Sequence, residues 1–193
     1  MKHSLGAITF AYPTPVFLVA TYDEQGNPNV MNAAWGGICC SQPPCIAVSI
    51  QPPRHTYAAI MQRNAFTINI PSENQVAEAD YFGLVSGKIH NKFAKSGFSA
   101  VKSKLVDAPY IKECPVNIEL ELIQSVEIGT HTQMIGKIVD VKIDKSCMNG
   151  NDMPDILKAA PLLFDPGQRS YYGVGNFIAK AFSVGRTLTE AGD

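Results

Sequence analysis

The stretches VNIELEL (residues 116–122) and TQMIGKIVDVKI (residues 132–143) decide the fold class of this chain. A third β-rich stretch, residues 125–129, lies between them, so strand follows strand through tight turns. Four earlier stretches are also rich in β-forming residues: 16–21 (VFLVAT), 29–33, 45–50 (CIAVSI) and 66–70 (FTINI). FTINI alternates apolar with polar residues, as a half-buried strand does. Consecutive strands with few intervening helices predict a mainly β protein built as an antiparallel barrel, because a doubly wound sheet needs alternating helices.

Helices are expected only at the periphery of this barrel. The sequence predicts one at residues 57–63 (YAAIMQR), one at 75–82 and a short one near 155–160. Residues 87–104 contain five lysines and no acid, which indicates a basic excursion over about residues 84–107. The stretch RSYYGVGNF (residues 169–177) is expected to be a loop. We see no internal repeat or low-complexity linker, so residues 1–193 are predicted to form a single domain.

Composition excludes several functional classes. The chain has 193 residues, 46% of them hydrophobic and 17% charged, which is typical of a compact globular protein. A formal charge of -1 gives no reason to expect nucleic acid or an anionic membrane as a partner. No apolar run approaches the roughly 20 residues of a membrane span, and no signal-peptide pattern is found. Five cysteines, an odd number, do not resemble a secreted disulfide framework, so we expect a cytoplasmic protein.

Common catalytic and metal motifs are missing. There is no Walker A sequence or G-x-S-x-G, and the Gly173-Val174-Gly175 step lacks the third glycine of a dinucleotide fingerprint. Cys39, Cys40 and Cys45 do not have the spacing of a common zinc site, so we expect no metal. The simplest interpretation of these cysteines is as small buried hydrophobic residues, and a redox-active Cys39–Cys40 pair remains an alternative.

One segment could bind a phosphate. Thr56 stands where the N-cap of the helix at 57–63 is expected, and Arg54 precedes it by two residues. A helix N-terminus offers free N–H donors, and Arg adds a fork of donors that suits phosphate. Lys92, in the basic excursion, could close such a site from the other side. The alternatives are an ordinary capped helix with a solvated Arg54 and a solvated Lys92.

A second segment, NAAWGG (residues 32–37), could hold a planar ligand. Its small residues would let a ring approach the backbone closely. Trp35, the only tryptophan, could stack on that ring. The alternatives are glycines that serve a turn and a tryptophan that serves the core.

The order of these residues resembles the flavin reductase-like, FMN-binding split-barrel family, and most of all its flavoredoxin branch. The family's T-A-N-S tetrad has its counterpart in NAAW (residues 32–35), at the same spacing from Pro43-Pro44. The resemblance implies an FMN-binding split β-barrel with Greek-key-like connections. It places the isoalloxazine along Asn32, Ala33, Ala34 and Trp35, its edge and the ribityl chain along Ser49, Ile50 and Gln51, and the phosphate at Arg54, Thr56 and Lys92. Asn69 occupies the family's F-x-V-N-V position, here FTINI.

The resemblance also implies function. Gly129-Thr130-His131 is similar to the family's G-D-H step but lacks its Asp, so His131 could act near the flavin or be a core or surface residue. The implied protein is a homodimeric FMN-dependent oxidoreductase that moves electrons between a reductant and a protein or flavin acceptor. Its flavin would lie near the subunit interface, and its C-terminal tail would pack on the barrel or on the partner subunit. The alternatives are an NAD(P)H:flavin oxidoreductase with FMN as substrate and a non-catalytic flavin-binding or interaction module.

Overall fold

The long antiparallel pair at residues 116–143 is the centre of the fold in the computed structural model, which describes residues 1–188. The strands are β1 (Thr14–Pro15), β2 (Phe17–Tyr22), β3 (Pro28–Ala33), β4 (Gly36–Ser41), β5 (Pro44–Ile50), β6 (Ala65–Ile70), β7 (Ala100–Lys102), β8 (Pro109–Ile111), β9 (Val116–Ile128), β10 (His131–Ile143), β11 (Leu163–Asp165) and β12 (Ser170–Tyr172). The α-helices are α1 (His55–Arg63), α2 (Val76–Leu84), α3 (Lys92–Ser96) and α4 (Ile156–Ala159). Short 3-10 helices cover Glu73–Gln75, Lys145–Cys147 and Val184–Leu188.

Seven strands form one sheet in the order β3-β2-β6-β9-β10-β5-β4, and every neighbouring pair is antiparallel. The sheet is rolled, because one buried core collects Val19 from β2, Val48 from β5, Phe66 from β6 and Met134 from β10. Strands from the two ends of the order therefore face the same interior. This confirms the prediction of a mainly β, antiparallel architecture with a few peripheral helices.

Several details of the strands differ from the sequence-based expectation. Residues 169–177 were predicted as a loop, but Ser170–Tyr172 form β12 because they pair with β11. Residues 116–122 and 125–129, predicted as separate strands, belong to the single strand β9. The pairing with β10 skips a residue there, so a bulge replaces the expected turn. Strand β4 was not expected, because glycine and cysteine are weak strand signals. It forms where Gly36 lets the backbone approach closely: a Cβ at Gly36 would lie 2.7 Å from Ala47 O.

A second buried cluster lies under the helices α2 and α3 and the short strand β8. It packs Leu18 of β2 and Val30 of β3 against Phe82 of α2 and Phe93 of α3. The basic excursion is thus a folded part of the protein. It contains α3 and β7, and it covers one face of the β3 end of the sheet.

Both ends of the described chain lie on the surface. Residues 1–13 are exposed, and residues 173–188 carry Phe177, Ile178 and Phe182 with exposed fractions of 72%, 94% and 97%. Residues 189–193, the end of the predicted tail, fall outside the described part of the chain. No helix within residues 1–188 has the length and apolar character needed to cross a membrane.

Candidate functional site

A polar cavity of about 390 Å³ opens at the N-terminal end of α1, and we call it the helix-end cavity. One wall is strand β3, through residues 29, 31 and 32. The second wall lies within residues 51–56, and the third is the segment 82–87, which comprises the end of α2 and the residues after it. Strand β3 is an edge strand, and β2 is its one strand partner in the described part of the chain. Every second amide of an edge strand points away from the sheet, so β3 can offer backbone hydrogen bonds to a ligand.

A second cavity, of about 260 Å³, adjoins the first and is called the tryptophan cavity. Its walls are residues 31–35 from β3 and the following turn, residues 49–51 at the end of β5, Arg54, and His131 at the start of β10. Met31, Asn32, Gln51 and Arg54 line both cavities, so the two form one continuous groove. The Ser49 N–H donates to Trp35 O at 2.8 Å and ties the two walls of the tryptophan cavity together.

The structure brings most of the predicted site residues to this groove. Asn32, Ala33, Ala34, Trp35, Ser49, Ile50, Gln51, Arg54 and His131 line the tryptophan cavity, and Thr56 lines the helix-end cavity with Asn32, Gln51 and Arg54. Asn69 and Lys92 line neither.

Asn69 serves the core and has no hydrogen-bonding capacity to spare. Its Nδ2 donates to Leu18 O at 2.9 Å and to Thr67 Oγ1 at 3.0 Å. Its Oδ1 accepts from Ile111 N at 2.9 Å and from Asn117 Nδ2 at 2.8 Å. An amide with both donors and both acceptor positions in use locks β2, β6, β8 and β9 together. The sequence predicts that Asn69 contacts the cofactor. Its burial and its four hydrogen bonds within the core favour a structural role instead.

Helix α1 begins at His55, two residues earlier than expected, so Arg54 and not Thr56 is the N-cap residue. Arg54 provides no side-chain cap, and its side chain is exposed toward the groove. Thr56 is buried inside the first turn, where its Oγ1 accepts from Asn29 Nδ2 at 2.9 Å. Because the Thr56 hydroxyl accepts this bond, its own hydrogen is free to be donated into the cavity.

Lys92 is a buried cation close to this helix end. It is 4% exposed, and its Nζ donates to Val30 O at 2.7 Å and to Phe82 O at 2.8 Å. Burial, and then the nearby Arg54 guanidinium, lower the pKa of Lys92 to about 8. Within residues 1–188 no carboxylate forms an ion pair with Lys92 or Arg54. The two positive charges repel each other, and no carboxylate of the described residues neutralises them. A bound anion would remove this repulsion, so the site favours an anionic ligand.

Asn32 is held at the junction of the two cavities by a small network. Its Nδ2 donates to Ala79 O at 2.9 Å and lies 3.5 Å from Tyr171 Oη. The Tyr171 hydroxyl donates to Asp80 Oδ1 at 2.9 Å. Burial and the Asp80 carboxylate raise the pKa of Tyr171 to about 12, so the phenol stays protonated. With its Nδ2 turned toward α2, Asn32 presents its Oδ1 as an acceptor.

Aromatic rings line the end of the groove that lies away from Arg54. The Trp35 and His131 rings lie with centroids 4.8 Å apart at an interplanar angle of 36°. His131 Nδ1 is 2.9 Å from Thr130 Oγ1, and Trp35 is 43% exposed. The groove therefore has a cationic end at Arg54 and an aromatic end at Trp35. A ligand that joins an anionic group to a flat ring fits this arrangement.

Sequence reasoning missed the segment 82–87 and Asn29. The glycines were the available signal: a Cβ at Gly87 would overlap Asn29 Oδ1, and one at Gly83 would lie 3.4 Å from Asn32 Cβ. These close approaches bring the end of α2 against β3. They depend on which chain segment packs on that strand, which a local pattern does not reveal.

Comparisons with known proteins agree with this architecture. The chain matches the family described as flavin reductase like domain over residues 9–173. It is similar to the solved flavoredoxin of Desulfovibrio vulgaris (Miyazaki F), with 56% identity, a TM-score of 0.92 and coverage of 96% of this chain and 100% of that one. The flavoredoxin of Methanosarcina acetivorans is 29% identical, with a TM-score of 0.87 and coverage of 97% and 98%.

A protein with a split barrel domain from Shewanella frigidimarina NCIMB 400 has 24% identity and a TM-score of 0.79, with coverage of 88% of this chain and 86% of that one. At that identity the likeness concerns the fold alone, and it confirms the predicted split barrel. The match of the family over residues 9–173, the flavoredoxin likeness and the rolled antiparallel sheet lead to one conclusion: the chain belongs to the flavin reductase-like family.

Proposed function

We propose that this protein binds FMN in the groove and moves electrons between a reductant and a protein or flavin acceptor, as an oxidoreductase of the flavoredoxin type. The proposal rests on two neighbouring cations, Arg54 and buried Lys92, at one end of a groove that ends at Trp35; neither forms an ion pair with a carboxylate of residues 1–188. The family match and the 56% identity to a flavoredoxin support it. FMN, when bound, supplies the redox chemistry, and the protein supplies binding, orientation and electrostatics.

The helix-end cavity would take the phosphate. Arg54 offers a planar fork of donors, and Thr56 can donate its hydroxyl hydrogen because Asn29 occupies its acceptor side. The amides at the start of α1 add their own donors and a partial positive charge. Lys92 contributes charge from beneath the cavity, with its ammonium fixed by two carbonyls. Together these groups distinguish a phosphorylated flavin from one without phosphate.

The tryptophan cavity would take the ring. Trp35 offers an aromatic surface, and Ala33 and Ala34 keep the approach to the backbone open. Asn32 Oδ1 can accept an N–H from the ring edge, and the free side of β3 adds backbone groups. Between the two ends of the groove, the ligand would lie along Ser49, Ile50 and Gln51. His131, whose ring centroid lies 4.8 Å from that of Trp35, would lie beside the flavin ring, where a catalytic part is a hypothesis.

We also infer that the protein is a cytoplasmic homodimer of single-domain subunits. Ile178 and Phe182 of the tail are almost fully exposed and Phe177 is 72% exposed, while Phe10 and Tyr12 at the other end are 42% and 64% exposed. Exposed apolar side chains of this size favour a covering partner, and a second copy of the chain is the simplest one. The tail would then pack on the partner subunit. The five cysteines are all free, which agrees with a reducing compartment.

Binding of FMN is the direct test. We expect added FMN to lose fluorescence and to raise the melting temperature, and a purified protein that holds it to be yellow. Arg54→Ala should weaken FMN binding more than riboflavin binding, because only FMN carries the phosphate. Lys158→Ala, which removes an exposed cation on α4, is the matched control. Equal loss for both flavins would count against the phosphate site, and no response to FMN would refute the function.

The redox partner separates the remaining alternatives. Rapid bleaching of the bound flavin by NADH or NADPH alone would favour an NAD(P)H:flavin oxidoreductase. Bleaching only with a reduced protein partner would favour an electron carrier. A protein that binds FMN but is reduced by neither would be a non-catalytic flavin-binding module.

A further inference from the structure

The cysteines at the tip of the β4–β5 hairpin are not used by the proposed flavin site. Cys40 of β4 and Cys45 of β5 are directly opposed partners in the antiparallel pair. Cys39 is the residue that the register skips, so it has no partner across the strands. The sequence had suggested the adjacent Cys39 and Cys40 as the redox pair. The pairing of the strands points to Cys40 and Cys45 instead.

The geometry of an antiparallel pair suits a disulfide at this position. Directly opposed residues point to the same face of the sheet, with Cβ atoms roughly 4.5–5.5 Å apart. Disulfides need Cβ atoms at about 3.5–4.5 Å, so only a small closure is required. Strand β4 is an edge of the seven-stranded sheet, so no further strand of that sheet lies on its outer side to oppose the closure.

The surroundings give the two thiols different roles. Cys40 is exposed, whereas Cys45 is 2% exposed. Lys137 of β10 is the partner of Cys45 on its other side, so Cys40, Cys45 and an exposed lysine stand in a row across three strands. Lys137 neighbours Cys45, whereas Cys40 is the thiol that is open to solvent. An exposed thiol can be attacked by a reagent from solution, and a buried one can be reached only from within the protein. The prediction of small buried hydrophobic residues is confirmed for Cys45 and wrong for Cys39 and Cys40, which are exposed because they lie on an edge strand.

We propose that Cys40 and Cys45 form a reversible cross-strand disulfide, with a low-molecular-weight disulfide as the oxidant. The Cys40 thiolate attacks one sulfur of the oxidant, forms a mixed disulfide and releases one thiolate. Cys45 then loses its proton to solvent and attacks the Cys40 sulfur, which releases the second thiol. The protein loses two electrons and two protons, and the oxidant is reduced to two thiols. The cross-link joins the strand after Trp35 to the strand that carries Ser49.

The test is anaerobic incubation of the full-length protein with a series of oxidised and reduced glutathione ratios, followed by acid quench and intact-mass analysis. A Cys39→Ser background removes the neighbouring exposed thiol. Cys114 and Cys147 are buried and serve as internal controls that should stay unmodified. We expect the background protein to become two hydrogens lighter and to carry no lasting glutathione.

Two further substitutions assign the roles. In the same background, Cys45→Ala should retain one glutathionyl group on Cys40, because the resolving thiol is gone. Cys40→Ser should show neither the disulfide nor an adduct, because Cys45 is shielded. Both variants should keep the melting temperature of the background protein. Cys40 is exposed, so its replacement disturbs no packing, and Cys45→Ala removes only a sulfur atom. Persistent glutathione on Cys40 in the background, an unreactive Cys40, or a disulfide that survives Cys40→Ser would each overturn the proposal. None of these results depends on flavin binding.

Discussion

Replacing Lys92 by methionine isolates the buried charge beneath the proposed phosphate site. Methionine keeps the length of the side chain but removes the ammonium, which donates to Val30 O and Phe82 O. Losing one charge-assisted interaction costs about 1.5–3 kcal/mol, which corresponds to roughly tenfold to hundredfold weaker FMN binding. Riboflavin lacks the phosphate, so its affinity should change by less than about threefold. Fluorescence titration of both flavins measures this difference.

The same residue should make FMN binding depend on pH. Lys92 has a pKa of about 8 in the free protein, and a bound phosphate would raise it by adding a negative charge nearby. Affinity is therefore full below pH 8 and falls as the pH rises above it, by up to about tenfold per pH unit until the pKa of the complex is reached. Lys92→Met should lose this dependence, and riboflavin should never show it.

Folding stability provides the control for Lys92→Met. A pKa lowered from 10.5 to about 8 means that the buried charge destabilises the fold at neutral pH, by roughly 2 kcal/mol after allowance for solvent screening. Losing two charge-assisted hydrogen bonds costs about 1.5–3 kcal/mol each. After the relief of the buried charge is subtracted, the unfolding free energy without ligand should fall by roughly 1–4 kcal/mol. Lys95→Met, at an exposed position on the same helix, should change neither property. Equal weakening of both flavins by Lys92→Met, or a flat pH profile in the wild type, would refute the reasoning.

Three other substitutions test the groove and the barrel. Gly87→Ala should weaken FMN binding at least about tenfold, because a Cβ there overlaps Asn29 Oδ1, while Gly37→Ala, with no atom within 4 Å, should have no effect in the same titration. Trp35→Ala should weaken FMN and riboflavin alike, by about 0.5–1.5 kcal/mol; a loss confined to FMN would contradict a ring site. Gly136→Ala should lower the unfolding free energy by about 1–3 kcal/mol in urea titrations, because its Cβ would lie 2.8 Å from a core Phe ring; an unchanged midpoint would contradict the packing described.

The strands could be predicted from the sequence because their pattern is local. FTINI alternates apolar and polar residues, and β6 occupies Ala65–Ile70 as a result. The helices α1 and α2 also appear close to their predicted bounds. The strand β4 could not be predicted, because Gly36–Ser41 carries little strand signal of its own. It is a strand because β5 pairs with it, and pairing is a tertiary property.

The sequence by itself determined the class of residues at the site and their order: small backbone-facing residues, one tryptophan, then Ser49, Arg54 and Thr56. That order survives folding because neighbouring strands and the turn between them keep sequence neighbours together in space. The tertiary structure alone decided which polar residues face the groove. Asn69 and Lys92 look equally available in the sequence, yet Asn69 is consumed by four core hydrogen bonds and Lys92 lies beneath the cavity. It also decided that Cys45 is the partner of Cys40, since strand register sets which side chains meet across a sheet.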